Sequence, residues 1–173
     1  CDYNQTKAAT KAIADFKGPV YLRFGRPKVP NFTDAKQKFE IGKGILLNEG
    51  KDVSIIATGH LVWPAIEAGM ALAEKGIDAE IINIHTIKPL DNQIILNSVR
   101  KTKCVVTAEE HQKNGGLGDS VAQLLSAELP SPIEYVAVDD KFGESGPPQD
   151  LMDKYGLNTE AIVKAAEAAV LRR

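Results

Sequence analysis

From residue 39 onward, short β-prone apolar runs alternate with helical patterns roughly every 25 residues, and that alternation leaves few folds open. DVSIIATG (52–59) is nearly continuous in apolar residues, as a strand covered on both faces must be. HLVWPAIEAGMALAEKG follows with helical period. Pro64 suits its first turn, Val62, Ile66, Met70 and Ala73 read as its inner face, and Gly76 ends it. FEIGKGILLNEG (39–50), DAEIINIHTI (78–87), KCVVTAEE (103–110) and PIEYVAVDD (132–140) read as further strands. DNQIILNSVRKT with Asp91 as cap, DSVAQLLSAEL, PPQDLMDKYG, and TEAIVKAAEAAVLRR with Thr159 as cap read as helices. Right-handed crossovers then give an α/β fold, a three-layer α/β/α arrangement around a mostly parallel sheet.

The first 38 residues are less regular. NQTKAATKAIADFK (4–17) reads as a helix stopped by Gly18-Pro19, and PVYLRFG (19–25) as a strand. Arg26 lies just beyond that strand's C-terminal end, the edge where open parallel sheets place ligands. Residues 27–38 carry two prolines and mixed polar residues, a linker composition that marks a domain boundary. The chain opens at Cys1 and reads as the C-terminal part of a longer protein.

At 173 residues one compact domain is expected, alone or with an appendage. A formal net charge of -2 gives no electrostatic basis for a nucleic-acid partner. No apolar run approaches the roughly 18 residues of a membrane span. Two cysteines, Cys1 and Cys104, supply no disulfide framework, which places the chain in a reducing, cytoplasmic setting.

The stretch KCVVTAEEHQKNGGLGDS (103–120) is the densest in chemical groups. Strand, glycine loop and helix in this order are the layout of a phosphate cradle. GGLG, however, lacks both the dinucleotide-binding spacing and the Lys-Ser/Thr of a P-loop. Glu109, Glu110 and Asp119 beside it would repel a phosphate, so a tight structural turn is the preferred reading. Glu109 and Glu110 are adjacent on an extended segment and point opposite ways, so they need not share a site. His60, His85 and His111 all fall near C-terminal strand ends, but no spacing among them suits a metal. They read as structural or surface residues, with His111 kept as a candidate. Arg23 and Arg26 need not act together, because Arg23 lies within the strand-like run and Arg26 beyond it.

GPVYLRFGR (18–26), IGKGILLNEGKDVSIIATGHLVWPAIEAG (41–69), EIINIHTIKPLD (80–91), VVTAEEHQKNGGLGDSVAQLL (105–125) and FGESGPPQDLMDKYGL (142–157) resemble the C-terminal part of transketolases. The earlier of these features are shared with two other groups of thiamine diphosphate enzymes, the β subunits of 2-oxo acid dehydrogenases and deoxyxylulose-phosphate synthase. FGESG followed by LMDKYGL is most similar to transketolase. The resemblance implies that residues 1–28 are the tail of a pyrimidine-binding domain, 29–38 a linker, and 39–173 a C-terminal domain with one antiparallel strand in its sheet.

It also implies an enzyme that moves a two-carbon ketol unit between sugar phosphates with thiamine diphosphate and a divalent cation, Mg or Ca. The cofactor-activating glutamate and the metal ligands of that family lie upstream of Cys1, so this segment is expected to bind no cofactor and to be inactive alone. Its expected partners are the N-terminal half or subunit of the same enzyme and a second copy, in a homodimer. One functional residue carries over. The arginine that ends the family's GP-strand motif binds the substrate phosphate and matches Arg26. A non-catalytic dimerisation or docking module is the alternative from another class.

Overall fold

The computed structural model describes residues 1–173. Five strands form one sheet: β1 (Ile45–Asn48), β2 (Val53–Ala57), β3 (Ala79–Asn83), β4 (Val105–Gln112) and β5 (Ile133–Val138), in the order β1-β3-β2-β4-β5. β2 pairs in parallel with β3 and with β4, and β4 in parallel with β5. β1 is antiparallel to β3, with Ile45 opposite Asn83. The fold is therefore the expected α/β sandwich, mostly parallel with one antiparallel edge strand.

All five residues of β2 are buried, which explains its unbroken apolar character. Its alternate side chains serve two cores. Val53, Ile55 and Ala57 pack with α2 (Val62–Glu74) and α6 (Thr159–Leu171) on one face. Ile56 packs with α3 (Asn92–Thr102) and α4 (Leu117–Glu128) on the other. Ser54, the polar exception, bonds the hydroxyls of Ser98 and Thr102 at 2.6 Å each, so its burial leaves no orphaned group. A short helix α5 (Pro148–Lys154) precedes α6.

Two local expectations are corrected. The inner face of α2 is Val62, Ala65, Ala68 and Leu72, while Met70 is 63% exposed and Ala73 is exposed. Small residues face inward because the helix lies close to the sheet: a Cβ on Gly69 would crowd the side chain of Ile81. The cap of α6 is Asn158, whose Oδ1 accepts from the Ala161 amide at 3.0 Å, and Thr159 Oγ1 instead donates to Glu67 on α2. Asp91 caps α3 as expected.

Near the start, α1 (Tyr3–Ala14) is capped by Asp2. The buried Asp2 carboxylate accepts from the amides of Gln5, Phe32 and Thr33 and from the Thr33 hydroxyl, which folds residues 32–33 back onto the helix. Burial alone would raise the Asp2 pKa, but these hydrogen bonds outweigh it and hold the group below the usual carboxylate range. Phe32 then meets Trp63 of α2, ring centroids 5.4 Å apart. The β-prone run 19–25 forms no strand. A strand needs a neighbouring ladder, and nothing in the chain pairs with this one. Its residues Val20, Tyr21 and Phe24 are exposed.

Candidate functional site

The strand order reverses at β2 and β4, since α2 leaves β2 toward one face and α4 leaves β4 toward the other. The crevice outside the C-terminal ends of two such strands is the usual ligand position in an open α/β sheet. His60, just after β2, and Glu109, Glu110 and His111, at the end of β4, all meet there.

Glu110 and His60 are bonded through Oε2 and Nδ1 at 2.5 Å, each side chain 17% exposed. Arg23 reaches the other oxygen of Glu110 at 3.6 Å. Burial alone would raise the Glu110 pKa, but the His60 hydrogen bond and the positive charges of His60, Arg23 and His111 leave it below the usual carboxylate value. Glu110 is thus an anion at neutral pH. The His111 pKa is lowered too, which for a base favours the neutral form: burial and the Arg23 charge lower it against the opposing pull of Glu109 and Glu110. The spacing of these residues along the chain could not bring Arg23, His60 and Glu110 together; only the position of His60 and Glu110 at strand ends hinted at part of it.

Glu109 and Glu110 do point to different places. Glu109 is 2% exposed and turns under the glycine loop, where its carboxylate accepts from the Leu117 amide at 2.8 Å and the Gly118 amide at 2.7 Å. These are the first amides of α4, which an incoming phosphate would have used. The cradle is filled by the protein's own anion. Gly116 permits this through its missing side chain, since a Cβ there would stand 2.7 Å from the Glu109 carboxyl carbon. Asp119 adds a second internal carboxylate by accepting from the Gly115 amide. The loop as it stands does not fit a diphosphate group, because its first helical amides are already taken by Glu109.

The remaining candidates are scattered. His85 stacks on Phe39 with ring centroids 4.2 Å apart, and burial together with the amino-terminal charge lowers its pKa to about 4. Arg26 is exposed on the segment after Phe24, and its guanidinium makes no ion pair or hydrogen bond within the chain. No cluster of three His, Cys, Asp or Glu side chains is disposed to hold a metal. No helix is long and apolar enough to cross a membrane.

The family model described as "Transketolase, C-terminal domain" matches residues 42–162. The 6-deoxy-6-sulfo-D-fructose transketolase subunit of Clostridium sp. (strain MSTE9) is 42% identical over 172 residues, covering 99% of this chain and 53% of that protein. 1-Deoxy-D-xylulose-5-phosphate synthase 1 of Geobacter sulfurreducens is 38% identical over 172 residues, covering 96% of this chain and 27% of the synthase. The chain thus spans about half of the one relative and about a quarter of the other. A solved structure described as "Split gene transketolase, inactive beta4 tetramer" superposes with a TM-score of 0.96 at 45% identity, over 100% of this chain and 57% of that one. The match over residues 42–162, and the same sheet with one antiparallel edge strand, place this chain in the transketolase C-terminal domain family.

Proposed function

We propose that this chain is the C-terminal section of a transketolase that moves a two-carbon ketol unit between sugar phosphates. The observation that carries most weight is the superposition of all of this chain on 57% of a chain described as split-gene transketolase, at 45% identity. In this reading residues 1–28 complete a pyrimidine-binding domain supplied mainly by upstream sequence, and 29–38 link it to the C-terminal domain. The exposed Tyr21 and Phe24 side chains, on a β-prone run with no ladder partner here, are consistent with that. Thiamine diphosphate and a divalent cation would be held by the other portion of the enzyme, where the cofactor serves as the electron sink for the transferred carbanion equivalent. The section alone would be inactive, in line with the related tetramer, which is itself described as inactive. The assembled enzyme would be a cytoplasmic homo-oligomer, a homodimer in its simplest form, with a place in pentose phosphate metabolism.

Arg26 is the residue assigned to substrate. A guanidinium with no partner in its own chain can take the remote phosphate of a sugar through two parallel hydrogen bonds. That contact anchors the donor so that its carbonyl end is presented consistently to the reacting centre. In the assembled enzyme, Arg26→Ala should weaken use of phosphorylated sugars by about 10- to 150-fold, the equivalent of about 1.5–3 kcal/mol for one charge-assisted contact. Unphosphorylated sugars should be nearly unaffected. Equal losses for both classes would remove Arg26 from the site.

A second reading rests on the match to the Geobacter synthase. Formation of deoxyxylulose phosphate, with no ketol transfer between sugar phosphates, would favour it.

A further inference from the structure

Arg26 sits on a weakly attached stretch of chain. Residues 17–30 make no backbone hydrogen bond, and their one polar tie to the rest of the chain is the ion pair of Arg23 with Glu110. The second tie is steric. A Cβ placed on Gly25 would stand 2.8 Å from Cε1 and 3.3 Å from Nε2 of His60, so the imidazole already lies against the Gly25 backbone. The same imidazole is held through Nδ1 by Glu110. Two attachments, at residues 23 and 25, therefore lead back to one half-buried pair immediately before the arginine.

We infer that His60 and Glu110 are positioning residues for Arg26. Glu110 fixes Arg23, His60 seats Gly25, and together they set the direction in which the Arg26 side chain leaves the backbone. This rests on the reading of Arg26 as the phosphate contact and adds the part of the C-terminal domain that aims it. The logic is that of other precise sites: an arginine on a mobile segment loses binding energy to its own disorder, whereas one held by a rigid sheet edge does not. His60 and Glu110 suit the task because both sit at the switch point of the sheet, Glu110 on the interior strand β4 and His60 in the turn just after the interior strand β2.

The test uses the assembled enzyme with a phosphorylated and an unphosphorylated ketose donor. Glu110→Gln keeps the size of the side chain and removes its charge, and Gly25→Ala pushes on His60 from an exposed segment. Each should raise KM for the phosphorylated donor by about 3- to 10-fold with kcat within about twofold, and leave the unphosphorylated donor unchanged. Glu110→Asp should restore part of the loss. In an Arg26→Ala background neither change should add further loss, because there is no arginine left to aim. If Arg26→Ala distinguishes the two donors while Glu110→Gln and Gly25→Ala impair both equally, or add fully to Arg26→Ala, the positioning role is overturned and the Arg26 assignment stands. If Arg26→Ala itself fails to distinguish the donors, both fall.

Discussion

Replacing Glu109 tests the account of the glycine loop most directly. Its carboxylate accepts two amides of the first turn of α4, at 2.8 and 2.7 Å, from a position 2% exposed to solvent. Each charge-assisted bond is worth about 1.5–3 kcal/mol, but removing a buried anion also recovers part of its desolvation cost. The net loss for Glu109→Ala is then about 2–4 kcal/mol, or about 5–15 °C in Tm for a domain of this size. Gly116→Ala should cost a similar amount by another route, since its methyl occupies the space of the carboxylate and drives it off the amides. The two changes remove the same interaction, so the double variant should be little worse than Glu109→Ala alone, with a coupling close to the full cost of Gly116→Ala, about 2–4 kcal/mol. Urea unfolding followed by Trp63, the one tryptophan, measures all four proteins. Emptying the cradle should also recreate an anion site. Inorganic phosphate at matched ionic strength should stabilise Glu109→Ala more than the parent. Additive losses, or equal stabilisation by phosphate, would refute the idea that Glu109 fills the phosphate position.

The pH dependence of stability should carry a signature of His85. Its folded pKa of about 4 lies below the 6.5 of an ordinary histidine, so the unfolded chain binds more protons between those values. Stability should fall as pH drops through that window, by up to about 3 kcal/mol, and the difference from His85→Gln in parallel urea titrations should follow the same window; a flat difference curve would contradict it. Cys104 is buried just before β4 and its thiol pKa is raised by that burial, so at pH 8 Ellman's reagent should modify Cys1 quickly and Cys104 only on unfolding. Two equally fast thiols would contradict the packing.

The alternation of strands and helices was legible from residue 39 on because each element obeys its own local period. The uninterrupted apolar run of β2 announced burial on both faces, and Asp91 announced the start of α3. Errors arose where two local solutions were nearly equal. Asn158 and Thr159 are both good caps, and the choice between them was made by Glu67 on a distant helix, which takes the Thr159 hydroxyl. On α2, hydrophobicity favoured Met70 as an inward residue, whereas the face turned to the sheet runs through Val62, Ala65, Ala68 and Leu72 and leaves Met70 outside.

The site divides in the same way. Sequence alone determined the class of fold, the glycine-rich turn after β4, the opposite directions of Glu109 and Glu110, and the position of Arg26 beyond a β-prone run. Those properties depend on residues within a few positions of one another. Tertiary structure alone decided that Glu109 closes the phosphate position, that Glu110 joins His60 and Arg23, and that the run 19–25 remains without a ladder. The first turns on how the loop after β4 folds back over the strand end, the second on the pairing of β2 with β4 and the path of residues 19–25 above it, and the third on the lack of any strand beside that run. Glu110 lies 50 residues from His60 along the chain, and only the parallel pairing of β2 with β4 brings the two within hydrogen-bonding distance; Arg23 is farther still and arrives on a strandless segment folded back over that edge.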